Sequence, residues 1–221
     1  MTTVFDKEVR CYLCSAENKF TGIGSTNTTG SSDLDTRPPE MARSTIFALV
    51  QRCPECGFCA SDLAAPRPGA ADVVSTKEYK RQLHDPKYPG LANSFLCQAL
   101  IDSACGEFSA ATWALIHAAW VCDDSGRPDQ AVVSRQRAAG MLAVAEEHGQ
   151  QIAKPEGAST VILADLLRRS GRLDDARRTI AARGDMSIED SIVRILDFQT
   201  ALIDKKDMLC HTIAEAFAEE E

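Results

Sequence analysis

Two cysteine pairs share one two-residue spacer, Cys11-Tyr12-Leu13-Cys14 and Cys53-Pro54-Glu55-Cys56. These are the residues whose type and spacing could do chemistry. A two-residue spacer lets both sulfurs of a pair face one ion from a tight turn, whose backbone N–H groups spread the thiolate charge. Gly57, directly after Cys56, suits such a knuckle because glycine tolerates positive φ. Four thiolates in two pairs match a tetrahedral structural zinc site, with Cys11, Cys14, Cys53 and Cys56 as ligands. Iron in the same four-sulfur geometry is the rival metal. Cys59 keeps a second pairing open, because Cys56-Gly57-Phe58-Cys59 is also a two-residue spacing. Pro54 and Gly57 favour the 53/56 pair, which leaves Cys59 as a spare thiol near the metal. A thioredoxin-like redox pair needs a strand–helix–strand setting, and the sequence shows no such pattern. With all four positions taken by protein sulfurs, such a site has no place for a reacting water. No G-x-G-x-x-G, P-loop, G-x-S-x-G or H-E-x-x-H motif occurs in the sequence.

The elements that must position these sulfurs are short. Val4-Phe5 and Val9 precede the first pair, Phe20 follows it, and Ile46-Phe47-Ala48-Leu49-Val50 runs into the second. They predict a small antiparallel sheet of zinc-ribbon type over residues 1–63. The gap of 38 residues between Cys14 and Cys53 must hold a long insert. Its polar stretch, Gly22 to Thr36, is expected to be either a functional loop or disordered. Residues 64–91 read as a linker: Pro66 and Pro68 break regular structure, and Thr76 to Leu83 forms a short capped helix. His84 is expected at the exposed end of that helix.

From residue 92 to 221 apolar residues take helical spacing. Trp113, Ile116 and Trp120 share one stripe, Leu115, Ala118 and Cys122 another, so this helix should be central. His117 reads as a satisfied core histidine. A repeat is visible: Ser125-Gly126-Arg127-Pro128-Asp129-Gln130-Ala131 echoes Ser170-Gly171-Arg172-Leu173-Asp174-Asp175-Ala176. Thr179-Ile180-Ala181 recurs as Thr212-Ile213-Ala214. In the first pair, a helix ends at glycine and an acidic residue opens the next. That is the pattern of stacked helical hairpins resembling tetratricopeptide repeats, with a long second helix from Pro128 to about Gln150. A plain antiparallel bundle is the alternative. Cys97, Cys105, Cys122 and Cys210 read as small apolar residues within the helices. Arg168, Arg169, Arg172, Arg177 and Arg178 read as a solvated, ion-paired face. Glu219-Glu220-Glu221 reads as a frayed acidic tail. The expected class is therefore α+β, mostly α.

Composition narrows the function classes. The chain of 221 residues is 25% charged, with a net charge of -8. Residues 1–100 carry balanced charge, so the acidic excess lies in the helical half. An acidic chain disfavours non-specific nucleic-acid or anionic-membrane binding. No apolar run reaches the ~20 residues of a membrane span, and Met1 to Cys11 lacks a signal-peptide core. A cytoplasmic location is expected, where cysteines serve as ligands or buried thiols more often than as disulfides.

The pattern resembles an uncharacterised bacterial family, the one called domain of unknown function 2225. Asp6, Lys7, Val9, Cys11 and Cys14 match its opening segment and first knuckle. Asp35, Arg37 and Pro38 match its polar insert, and Cys53, Pro54, Cys56 and Gly57 its second knuckle. Tyr12 and Ser15 depart from the pattern, where proline and glycine are usual. The resemblance implies a zinc-bound head on tetratricopeptide-like helices and implies no activity. The leading expectation is thus a non-enzymatic protein that binds another protein or peptide through its helices. Nucleic-acid binding by the head is the alternative, through Arg37, Arg43, Arg52 and Arg67 beside Lys7 and Arg10. A redox role for Cys59 near Arg52 is a third reading.

Overall fold

The computed structural model describes residues 2–182 and 189–218. The chain is α+β and mostly α. Strands β1 (Thr3–Arg10) and β2 (Glu17–Ser25) form one antiparallel hairpin, with Val9 opposite Asn18 and Arg10 opposite Glu17. A separate two-stranded sheet pairs β3 (Gln51–Arg52) with β4 (Cys59–Ala60). The single ribbon sheet expected from the sequence is therefore two small hairpins.

Helix α1 (Glu40–Arg43) lies in the insert between them. The run Ile46–Val50 is not a strand. Ile46–Leu49 forms one 3₁₀ turn, and only Gln51 and Arg52 pair. A 3₁₀ turn puts residues i and i+3 on one side. Ile46 and Leu49 thus face the helical half together, while Phe47 and Ala48 face the first hairpin. The segment works as a two-sided wedge, which ladder pairing would not allow.

The middle carries α2 (Ala70–Ser75) and α3 (Lys77–Leu83). The Thr76 hydroxyl accepts the Tyr79 amide at 3.1 Å and caps α3. His84 closes α3 and is exposed, as expected. Then come α4 (Gly90–Ala104), α5 (Phe108–Asp124), α6 (Pro128–Glu147), α7 (Ala158–Arg169), α8 (Leu173–Ala181) and α9 (Asp190–Asp204). Helix α5 packs between α4 and α6, α7 packs on α6 and α8, and α9 covers both α7 and α8. Helix α5 is apolar nearly all round and buries Leu115, Ile116 and Cys122 completely or almost so. A 3₁₀ turn, Ala214–Phe217, follows α9. No helix among the described residues is long and apolar enough to cross a membrane.

The glycine turns behave as the repeat implies. Gly126 and Gly171 have φ of 63° and 78°. The next amide, Arg127 or Arg172, reaches back to the carbonyl of Cys122 or Leu167, each at 2.9 Å. Gly106 does the same, the Glu107 amide reaching Asp102 at 2.8 Å. The same Schellman-type cap thus ends α4, α5 and α7. The second echo has no structural counterpart: Thr179-Ile180-Ala181 lies in α8, whereas Thr212 forms an isolated bridge with Asp33. A three-residue match is too short to carry a helical repeat.

Gly22 to Thr36 is built into the fold. Gly22–Ser25 belongs to β2, Leu34 is buried, and the Leu34 amide donates to the His211 carbonyl at 3.0 Å. Cys210 and His211 correspondingly lie past α9 in irregular backbone. Cys210 meets Asp33 at 3.1 Å, and His211 lies between Asp207 and Glu215. Cys97 and Cys122 are the small buried residues expected, while Cys105 is partly exposed and Cys210 exposed. The acidic tail, Glu219 to Glu221, lies outside the described residues.

Arg168 and Arg169 correct another expectation. Neither is on a solvated face. Arg168 is fully buried on Asp165 at 2.6 Å. Arg169 bridges Asp35 (3.2 Å) and Asp123 (2.9 Å). Arg37 reaches Asp124 with a two-pronged contact at 2.5 and 2.6 Å, and Arg43 reaches Asp33. Arg37 with Asp124 and Asp35 with Arg169 thus tie the insert to the helices, while Arg43 matches Asp33 within it, because the buried carboxylates of Asp33 and Asp35 must be matched by cations.

Candidate metal centre

Each sulfur pair sits in the turn of one hairpin. Cys11 follows β1 and Cys14 precedes β2; Cys53 follows β3 and Cys56 precedes β4. The two turns have the same hydrogen bonds. The Ser15 amide donates to the Cys11 carbonyl at 2.8 Å, and the Cys11 amide to Ala16 at 2.9 Å. The Gly57 amide donates to Cys53 at 2.9 Å, and the Cys53 amide to Phe58 at 2.8 Å. The residue after the second cysteine is left-handed in both, φ 62° at Ser15 and 75° at Gly57. One link between the head segments is the Tyr12 amide on the Leu63 carbonyl at 2.8 Å.

The four sulfurs lie within 4.8 Å of one another. Cys11 and Cys56 are 3.7 Å apart, and Cys14 and Cys53 3.6 Å. A metal with four sulfurs at ~2.3 Å has sulfur–sulfur edges of about 3.8 Å. All nine cysteines are free thiols. The group therefore fits a tetrahedral cation, and its donor set can hold a metal ion. Cys11 and Cys53 are buried, Cys56 is half-buried, and Cys14 faces solvent.

Electrostatics without a cation pulls the thiols apart. Burial pushes Cys11 up, against the amides of Cys14 and Leu13. Burial acts the same way on Cys53, yet the amides of Cys56 and Glu55 and the Cys14 thiol outweigh it and bring Cys53 down. Burial also pushes Cys56 well up. Four adjacent thiolates repel strongly, so a divalent cation is what would let all four ionise.

Cys59 lies outside this group. It is fully buried on β4, and its thiol donates to the Gly57 carbonyl at 3.4 Å. The Tyr79 hydroxyl accepts the Cys59 amide at 3.1 Å and donates to Gly57 at 2.9 Å. Tyr79 thus pins the back of the second knuckle to α3.

No family model, curated protein or solved structure matches the chain. The site rests on its own geometry.

Ser15 gives a direct test of that geometry. A left-handed conformation costs a non-glycine residue ~1–2 kcal/mol, and glycine loses ~0.5–1 kcal/mol of this advantage through unfolded-chain entropy. Ser15→Gly should therefore stabilise the metal-loaded protein by about 0.5–1 kcal/mol in urea unfolding. Gly57→Ala should move the other way, since its Cβ would meet Leu83 Cδ2 at 2.6 Å.

The buried partners of the insert were the functional residues least visible in the sequence. Asp35 and Pro38 are marked only by the family resemblance, and Arg37 also by the basic cluster that suggests nucleic-acid binding. Nothing local pointed from Arg37 to Asp124 or from Asp35 to Arg169, because these pairs are 87 and 134 residues apart.

Proposed function

We propose that the chain is a non-enzymatic interaction module. In this reading a zinc ion in the four-cysteine site holds the head, and the helical hairpins receive a partner protein or peptide. The supporting observation is a pair of grooves that meet on α6 at Gly140. One, about 280 Å³, is lined by Leu100, Leu115, Met141 and Val144 with Arg137 at its side. The other, about 330 Å³, is lined by Ala139, Ala143, Leu163 and Leu167 with Arg172 and Arg178. Asp175 on the second groove pairs with both Arg172 and Arg178, so the apolar floors are what fit the apolar face of an amphipathic segment laid across α6. Stacked helical hairpins offer such extended surfaces. The resemblance to the family with a zinc-bound head is consistent with this reading.

Arginine pairing weighs against nucleic-acid binding by the head. Arg37, Arg43 and Arg67 are engaged by Asp124, Asp33 and Asp102. Lys7, Arg10 and Arg52 have no ion pair among the described residues, but acidic residues outnumber basic ones over residues 1–63, which leaves no net positive charge there for a phosphate backbone.

Gly140 makes the proposal testable. A Cβ added there meets nothing within 4 Å. Gly140→Ala should stabilise the helix by about 0.5–1 kcal/mol, since glycine is costly in a helix interior. Gly140→Trp should keep the fold by circular dichroism but fill the groove. Proteins captured by the wild type from its own cells should then be lost. An unchanged set of captured proteins would move the interaction elsewhere.

A further inference from the structure

A different cavity lies between the insert and α5, away from both the metal group and α6. It measures about 310 Å³, within the range of small-molecule sites. One wall is a stripe of α5, Trp113, His117 and Trp120, at helical spacing. The other is built from Pro38 and from Ile46 and Leu49 of the 3₁₀ wedge.

Both indoles are held in place. Trp120 Nε1 donates to Asp35 Oδ2 at 2.7 Å, and Trp113 Nε1 to the Ile152 carbonyl at 3.3 Å. The flat walls are therefore preformed, which lowers the ordering cost of binding. The two arginines on the lining, Arg37 and Arg43, are matched by Asp124 and Asp33. The cavity thus offers no unmatched charge to select an ion.

His117 is its unusual member. The sequence reading made it a satisfied core residue, yet neither ring nitrogen has a hydrogen-bond partner among the described residues. It lies against aromatic rings instead, with centroids at 4.9 Å to Trp120, 5.2 Å to Phe95 and 6.0 Å to Trp113. Burial holds its pKa down at about 4, against a small opposing pull from Asp35. The ring is therefore neutral, with one donor and one acceptor on its edge. The side chain is half-buried and lines the cavity, and neither nitrogen is an enclosed polar atom, so a ligand with a complementary edge would meet it there.

Thr36, also on the lining, is a second anomaly. It is β-branched yet has φ 65°, a genuine outlier for such a residue. The turn that holds it uses the Thr36 amide on Asp33 (2.8 Å) and the Asp33 amide on Arg37 (2.9 Å). Backbone strain of this kind clusters at ligand sites.

We infer that this cavity binds a neutral, flat heteroaromatic ring system, stacked along Trp113 and Trp120 and hydrogen-bonded to the edge of His117. The chain contains only two tryptophans, so a ¹⁵N-labelled sample gives two indole N–H signals, and both report on this site. Titration would use lumichrome and adenine as neutral flat heteroaromatics, with 1-naphthoate as a flat anionic control. Both indole signals should shift saturably with at least one of the two neutral probes. Binding of 1-naphthoate should be at least roughly tenfold weaker, lacking the matching edge. His117→Phe keeps the aromatic contact but should lose roughly tenfold in affinity. Leu49→Tyr, at an exposed position on the lining, should block the cavity even if His117→Phe fails to fold. No shift with either neutral probe overturns the inference. So does 1-naphthoate binding as tightly, undiminished binding in a folded His117→Phe, or undiminished binding in Leu49→Tyr.

Discussion

Cys53→Ala is expected to empty the metal site and undock the first hairpin. Cys53 is fully buried, and its sulfur is 3.6 Å from that of Cys14. Its loss leaves three sulfurs, one of them solvent-facing, around a cation that favours four. The first hairpin has little else to hold it. One sheet has strands of two residues, and most of β1 is exposed. A two-stranded hairpin is marginal alone, so the metal is the main cross-link between the two turns. Binding of a structural zinc is worth on the order of 10 kcal/mol in small domains. Elemental mass spectrometry should find one zinc per wild-type chain and none in Cys53→Ala. Far-UV circular dichroism should keep most of its helical signal, because α4 to α9 hold most of the buried residues and pack on one another. A strong chelator should reproduce the variant, and added zinc should reverse it. Acid should do the same, because protons compete for the thiolates that the metal needs. Cys59→Ala separates the two pairings that the sequence left open. It should retain full metal content, since Cys59 is not among the four clustered sulfurs. A Cys53→Ala protein that still carried one metal per chain would sink this account, and iron in the site would replace zinc.

The sulfur site and the helix turns could be read from the sequence because their signals are local. A C-x2-C spacing constrains its own turn, and each glycine cap needs only the preceding turn of helix to form. The wedge at Ile46–Leu49 was harder. A short apolar run between turns has no periodicity to separate strand from helix, and here two packing partners on opposite sides decided it. The charges were least visible. Arg168-Arg169-Ser170-Gly171-Arg172 looks uniformly exposed in sequence, but α7 turns the first two inward and leaves Arg172 outside. Arg168 meets Asp165 on its own helix, whereas the carboxylates of Arg169 come from the insert and from α5, which only the tertiary fold brings near. His117 is legible in part for a related reason. Helical spacing put it correctly beside two tryptophans but could not show that its nitrogens lack partners.

Arg169→Met should be among the most destabilising single changes in the helical half. Arg169 is nearly buried and binds Asp35, which is fully buried, and Asp123. Burial alone would lower its pKa, yet Asp165, Asp35 and Asp123 together hold the guanidinium firmly charged. Methionine fills much of the volume but leaves those carboxylates without their shared cation. Asp165 is already pushed up, first by burial and then by Asp35, with Arg168 and Arg169 pulling it back. Removing one partner of a buried pair costs ~3–5 kcal/mol, because the remaining charge is stranded. Stability from denaturant unfolding at neutral pH should fall by about that amount. The loss should shrink on acidification. In the variant Asp165, which burial and Asp35 already push up, loses one of the two cations that pull it back, so its folded pKa lies above the unfolded value of about 3.9. Between those values the folded state binds more protons than the unfolded one, so the variant's stability rises as pH falls. Arg172→Met is the matched control. Arg172 is half-exposed and pairs with Asp175 at the surface, so its loss should cost about 0–1 kcal/mol. If both substitutions cost the same small amount, the buried charges do not hold the insert on the helices. That burden would then fall on Leu34, Ile46 and the backbone bonds to residues 211–213.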